Sequence, residues 1–263
     1  MVKTLLLLFV LYALPAPAAV RTPLAPSYTA IRIDTREQRL ELFWRDDQGQ
    51  VFHRFDRLAD WLAAHGQRLM LAMNAGMFEP DFSPVGLFVA DGREQAPLNL
   101  RDGKGNFYLK PNGVFALTAT GPRIVASSEF AGIEDHVRLA TQSGPLLLAH
   151  GMIHPGFNPA STSRHLRNGI GVDGPIVWFV VSDAPVTFHE FARYFRDELH
   201  CTDALYLDGN LSSLYDRAHG RDDQREPLGP IIGVVEPLPS APVAPAAEHS
   251  TTSAGEAPAI HQE

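Results

Sequence analysis

The chain has too little cysteine and too little clustered positive charge for several function classes. Cys201 is the only cysteine among 263 residues, which excludes an intramolecular disulfide and a cysteine-based zinc site. No cationic pattern surrounds it that would lower its pKa, so it reads as a core residue and not a nucleophile. Lys and Arg number 22 against 30 Asp and Glu, giving a net charge of −8 with no basic block. A nucleic-acid partner is therefore not expected. The eleven histidines contain no zincin motif. His150 and His154 stand four apart, but Gly151 and Pro155 argue against a helix presenting both to one ion. Neither a metal nor another cofactor is expected.

Long apolar runs are also missing. The longest, Thr4–Leu14, is too short to cross a bilayer, which needs roughly 20 apolar residues. It follows Lys3 and precedes Pro15-Ala16-Pro17-Ala18-Ala19, the layout of a secretory signal peptide cleaved after Ala18 or Ala19. Residues 1–18 are thus read as a signal peptide. The mature chain is then expected in the periplasm or outside the cell, with no stable membrane insertion. At the other end, residues 237–263 are rich in Pro, Ala, Ser and Glu, and bury too little to offset ordering entropy. They read as a disordered tail. Residues 20–236 remain as one domain with a real core.

Within that domain, apolar alternation marks many short strands. They include Tyr28–Asp34, Arg39–Trp44, Leu69–Met73, Pro84–Val89, Asn106–Leu109, Val114–Leu117, Arg123–Ala126, Ala204–Leu207 and Ile231–Val235. Gly169–Val172 and Ile176–Val181 form a hairpin about Asp173-Gly174, and Leu139–Thr141 and Pro145–Ala149 flank Gln142-Ser143-Gly144. A helix is predicted over Phe55–His65. A second is predicted over Thr187–His200, where Thr187 and Glu190 make a capping box and Phe188, Phe191, Ala192, Phe195 and Leu199 mark a buried face. Ile153–Arg167 reads as a long polar loop. The expected fold is α+β: a large mixed, mostly antiparallel β-sheet core with two or three packed helices.

The most informative segment is Tyr206-Leu207-Asp208-Gly209-Asn210-Leu211-Ser212-Ser213. A strand that stops at an aspartate and turns on a glycine delivers a carboxylate to a sheet edge. The amides and hydroxyls that follow could face an anion, or cap a following helix. Both readings stay open on local evidence.

Four segments together resemble the phosphodiester glycosidase domain family, which includes the uncovering enzyme of the Golgi and many exported bacterial proteins. Asn74-Ala75-Gly76-Met77-Phe78 resembles its Asn-Gly-Gly turn. Gln142-Ser143-Gly144-Pro145 resembles its Ser-Gly-Pro segment, Arg167-Asn168-Gly169-Ile170-Gly171 its Arg-x-x-Ile-Gly segment, and Leu207–Ser213 its Leu-Asp-Gly-Gly-Gly-Ser-Ser signature. Ala75, Asn210 and Leu211 stand where the family has glycines.

The resemblance implies an exported hydrolase that cleaves the glycosidic bond of a sugar-1-phosphodiester. A non-catalytic module binding phosphorylated or anionic glycans is the alternative. The partner is then a small-molecule or glycan phosphodiester. Candidate catalytic residues are Asp208, Asn74 and Asp183. Candidate substrate- and phosphate-binding residues are Arg167, Arg164, Gly209, Ser212, Ser213, Ser143, Gly144 and Gly76. Asp208 and Asp183 facing one another would form a carboxylate pair whose spacing bears on stereochemistry.

Overall fold

Strands whose residues are apolar on both faces must be covered on both faces, and this chain meets that demand by stacking sheets and adding helices outside them. A computed structural model describes residues 27–133, 137–209, 211–224 and 226–239. The leader expected over 1–18 and nearly all of the expected tail lie outside the described residues, as does Asn210. In chain order the first strands are β1 (Tyr28–Asp34), β2 (Arg39–Phe43), β3 (Gln67–Asn74), β4 (Phe88–Ala90) and β5 (Arg93–Ala96). There follow β6 (Gly113–Thr118), β7 (Gly121–Ala126), β8 (Val137–Ser143), β9 (Leu146–Ala149) and β10 (Met152–Ile153). The last are β11 (Asn168–Asp173), β12 (Ile176–Ser182), β13 (Asp203–Asp208), β14 (Leu214–Asp216), β15 (Arg221–Asp222) and β16 (Ile231–Pro237).

They form a six-stranded sheet, ordered β1-β12-β11-β13-β9-β10, and two five-stranded sheets, β15-β14-β3-β16-β2 and β5-β4-β8-β6-β7. Every strand pairing among the described residues is antiparallel. The fold is therefore strand-dominated, with helices as outer cover.

The main core lies between the sheets. Met73, Phe88, Phe115, Phe179, Leu205, Leu207 and Ile232, drawn from all three, share one buried cluster. Strand β13 shows how the sequence builds this. Successive side chains point to opposite faces, so Leu205 and Leu207 enter the central core while Ala204 and Tyr206 face the helical layer. Both faces are buried, hence the unbroken run Ala-Leu-Tyr-Leu.

Helix α1 (Phe55–Ala64) covers the second sheet through Phe55, Leu58 and Leu62. Helix α2 (Phe188–Arg193) covers the first, and both halves of its capping box are formed. The predicted helix over Thr187–His200 differs in its second half, where a π-type turn runs over Tyr194–Glu198. The buried stripe is real for Phe191, Ala192 and Phe195. Gly169 and Gly171 make room for it, since a Cβ at Gly171 would lie 2.6 Å from the Phe195 ring. Cys201 is buried in the same cluster, and burial pushes its thiol up to about 12, which removes it as a nucleophile.

Three local expectations fail, and one is the strand over Pro84–Val89, of which only Phe88 and Val89 lie in a strand, β4. Asn106–Tyr108 is a 3₁₀ turn and not a strand, because Gly105 enters it at φ +95° and only Phe107 turns inward. No helix follows Ser212 and Ser213 to be capped. Leu214 instead starts β14, which pairs with β3. The short strands β5, β10, β14 and β15 escape the sequence pattern because two to four residues are too few to establish a period.

Candidate active site

The site begins at a bulge. Asn168 pairs with Asp208 and Gly169 with Tyr206, so Leu207 is the extra residue in β13. A bulge bends the strand and re-aims the side chain beyond it, and here that side chain is Asp208. The turn is held by two fully buried asparagines. Asn168 Nδ2 donates to Asn74 Oδ1 at 2.9 Å and to the Asn74 carbonyl at 3.1 Å. Asn168 Oδ1 accepts the backbone N–H of Asp208 at 2.8 Å. Asn74 Oδ1 also accepts the backbone N–H of Ser213 at 3.0 Å. The ends of β3 and β13 and the starts of β11 and β14 are thereby tied to one pair of side-chain amides. Ser143 adds a strut, donating Oγ to the Leu207 carbonyl at 2.9 Å.

Asp208 is half-buried. The Gly209 N–H donates to its Oδ1 at 2.5 Å, but burial outweighs that bond and raises its pKa to about 6. It opens onto a cleft of about 360 Å³ whose walls include Met77, Phe78, Glu79, Lys104, Asn106, Tyr108 and Leu211.

Beneath the carboxylate, on the same face of β13, lies Tyr206. Its ring meets Phe188 edge-on with centroids 4.8 Å apart, and burial and the Asp208 charge both raise its phenol pKa. The guanidinium of Arg167 stacks 3.6 Å above the Phe188 centroid and 5.5 Å from that of Tyr206, and its Nε donates to the Val186 carbonyl at 2.9 Å. Burial lowers the Arg167 pKa, yet a guanidinium stays charged. A cation is thus buried beside Phe188 and Tyr206 at 2% exposure. Phe188 is its platform and only half-buried, which sets it apart from the rest of the α2 stripe.

The other candidates separate. Asp183 does not face Asp208. It lines a different cleft, of about 230 Å³, with Ser212, Ser213, Arg221 and Asp223, and Leu211 stands between the two clefts as a wall of both. Its carboxylate accepts Thr29 Oγ1 at 3.0 Å and pairs with Arg221 at 3.4 Å. The second carboxylate on the Asp208 cleft is Glu79.

Arg164 is held outside by Glu190, at 2.6 Å, the same residue that completes the α2 capping box. The signature hydroxyls turn into their own loop: Ser212 Oγ donates to the Gly209 carbonyl at 2.6 Å and Ser213 Oγ to the Leu211 carbonyl at 2.9 Å. The amides of Gly209 and Ser212 are likewise bonded within the loop, and that of Ser213 to Asn74 Oδ1. A short irregular loop must satisfy its own polar groups, so these donors do not form an anion cradle in this arrangement.

Three glycines serve close approach instead of ligand contact. A Cβ on Gly209 would overlap Tyr206 Oη, one on Gly144 would lie 2.6 Å from Asn112 Cβ, and Gly76, at φ +151°, packs against Thr141 and Ser143.

Asn168, Tyr206, Glu79, Lys104 and Asn106 escaped the sequence reading of site residues. Tyr206 was accessible through the two-residue period of β13, and Asn168 stands inside a recognised motif. Nothing local marks Lys104 or Glu79. A larger open cavity, of about 1230 Å³, lies elsewhere among the turns at Thr35–Arg39, Thr118–Arg123 and Gly174 and contains none of the motif residues. Among the described residues, no group of three or more His, Cys, Asp or Glu side chains converges as a metal site.

Fold and site together define an antiparallel β scaffold that ends a buried strand on a desolvated carboxylate. The chain belongs to the phosphodiester glycosidase family, whose sequence profile matches residues 67–235. It is 31% identical over 233 residues to the uncharacterized protein YigE of Escherichia coli strain K12, covering 88% of this chain and 89% of that one. Its fold is similar to that of the zebrafish N-acetylglucosamine-1-phosphodiester α-N-acetylglucosaminidase catalytic domain, auto-inhibited by pro-peptide. There the TM-score is 0.51 at 14% identity, over 82% of this chain and 86% of the other.

Proposed function

We propose that the protein is an exported hydrolase that cleaves the glycosidic bond of a sugar-1-phosphodiester. The observation that carries this reading is Asp208: a half-buried carboxylate, raised to about 6, at the head of a cleft in a chain of this family. In the reaction the bond between the anomeric carbon and the phosphate oxygen breaks, and its electron pair leaves with a phosphomonoester. Water supplies the new hydroxyl at the anomeric carbon and gives up one proton to solvent. The leaving group needs little acid assistance, because a phosphate monoester has its second pKa at about 6.

The main demand is therefore on charge at carbon. Desolvated but ionised at neutral pH, Asp208 meets the positive charge that develops there, and a poorly hydrated carboxylate does so more strongly than one in water. Asn74 and Asn168 contribute by holding Asp208 in place and are positioning residues, with no exposed surface to offer a sugar.

The test is to incubate the full mature chain with sugar-1-phosphodiesters and to measure free sugar and phosphomonoester. Wild type is expected to release both in equal amounts, and Asp208→Asn to lower the rate at least a hundredfold. Saturable binding without turnover would favour the glycan-binding module instead. Export rests on the Lys3, Thr4–Leu14 and Ala16-Pro17-Ala18 layout. Cell fractionation with N-terminal sequencing is expected to find a chain starting at Ala19 or Val20 outside the cytoplasm.

A further inference from the structure

The cavity of about 1230 Å³ stands at the other end of the strands from Asp208. Asn168 opens β11 beside Asp208, whereas Gly174 follows the far end of that strand at Asp173 and lines the cavity. The length of β11 separates the two places by roughly 20 Å. All three sheets reach the cavity, through the β1–β2, β6–β7 and β11–β12 turns and through strands β2, β7 and β8.

Its wall is built on a buried carboxylate. Glu41 is 8% exposed, and its Oε1 accepts Arg39 Nε at 2.6 Å and Arg138 Nη1 at 2.8 Å. One carboxylate thus holds together two guanidiniums from different sheets, and the trio is positive. Arg138 is committed further, since its Nη2 donates to the Leu40 carbonyl at 2.6 Å. The terminal nitrogens of Arg39 have no hydrogen-bond partner among the described residues. Arg123, on β7, is exposed, lines the same cavity and has no carboxylate partner among the described residues. Arg36 differs, because Asp34 accepts its Nε at 2.9 Å and its Nη2 at 2.6 Å. Two exposed carboxylates, Glu37 and Asp91, line the cavity and make no ion pair among the described residues.

We propose that this cavity is a second binding site, for an oligosaccharide that carries an isolated oxyanion, either a carboxylate or a phosphate. Arg39, fixed in its trio, and Arg123 take the oxyanion, with planar guanidiniums that each offer several donors. Glu37 and Asp91 accept sugar hydroxyls. No aromatic ring lines the cavity for a neutral sugar to stack on, so affinity falls to charge. The same two carboxylates repel a chain charged on every ring. An acidic peptide is disfavoured as well. Strands β2 and β7 are sheet edges, but Arg138 fills the Leu40 carbonyl of β2, and Pro122 gives β7 no N–H at that position. The site goes beyond the hydrolase reading and does not depend on turnover at Asp208.

The experiment is calorimetry of the full chain with five probes. They are a neutral hexasaccharide, the same chain with one carboxylate, with one phosphate or with a sulfate on every ring, and an acidic hexapeptide. A singly charged chain is expected to bind at least about tenfold more tightly than the neutral chain, the sulfated chain and the peptide. The tighter of the carboxylate and phosphate forms names the natural group. Arg123→Ala and Arg39→Ala are each expected to weaken that binding about tenfold. Lys104→Ala, in the Asp208 cleft, is expected to leave it unchanged, which places the binding away from that cleft. Arg123 has no partner to lose, so its variant tests the site even if Arg39→Ala disturbs Glu41. Equal binding of neutral and singly charged chains, tightest binding by the sulfated chain or the peptide, affinity untouched by Arg123→Ala, or no binding at all would each overturn the proposal. Failure of hydrolysis with binding intact would remove the hydrolase reading alone.

Discussion

Asn168 donates its side-chain amide to Asn74 Oδ1 at 2.9 Å, joining the end of β3 in one sheet to the start of β11 in another. Both residues have no exposed surface. Asn168 Oδ1 accepts the backbone N–H of Asp208, and Asn74 Oδ1 accepts that of Ser213 as well, so this one contact sets where the carboxylate stands.

Removing either partner strands buried polar groups. Asn168→Ala leaves the Asp208 amide without its acceptor, and is expected to cost about 2–4 kcal/mol. Asn74→Ala is expected to cost a similar amount, and the double variant less than the sum, by about 1 kcal/mol or more. Urea unfolding of the four proteins measures this. Additive losses would show that the two amides do not act as a unit.

The pH dependence follows from Asp208. Its folded pKa, about 6, lies above the ordinary 3.8, so the folded state binds the proton more tightly than the unfolded chain. Its contribution to stability is complete below 3.8 and is lost as pH rises through about 6. Asp208→Asn is therefore expected to gain on the order of 1–2 kcal/mol relative to wild type between pH 4 and pH 8. Thermal or urea unfolding at both values checks the sign.

Activity runs the opposite way. The ionised carboxylate is the working form, so kcat/KM is expected to fall about tenfold per unit below pH 6. A phosphodiester has no ionisation in that range, which assigns the limb to the enzyme. A profile flat down to pH 4.5 would remove Asp208 from the role proposed for it.

Gly209 and Tyr206 make a pair that can be tested by rescue. A methyl at Gly209 collides with Tyr206 Oη, and Gly209→Ala is expected to cost about 1–3 kcal/mol through overpacking. Tyr206→Phe removes the obstructing oxygen. The double variant is expected to recover at least half of the loss, read from the shift in Tm.

Arg167→Lys keeps the charge and loses the planar stack on Phe188 and the Nε bond to Val186. An expected destabilisation of about 1–3 kcal/mol follows. A lysine variant as stable as wild type would mean that charge alone matters at this position.

The strands and the carboxylate were legible in the sequence to different depths. Strand β1 has the predicted bounds, and α2 starts at its capping box, because alternation and capping are local. The four motifs and their order identify the family. The partners of the polar groups were not legible. Asn74 and Ser213 bond across 139 positions, and no local pattern records such a meeting.

By itself, then, the sequence determined that the chain makes mostly antiparallel strands, that Cys201 is core, and that Asp208 ends a strand on a glycine. Only the tertiary structure decided that Leu211 walls Asp183 away from Asp208 and that Arg164 belongs to Glu190. It also decided that the signature hydroxyls satisfy their own loop, and that Lys104 stands at the mouth of the cleft. The physical reason is that side-chain periodicity is written in neighbouring residues, whereas each buried or rim polar group takes its partner from whichever distant segment the packing brings near.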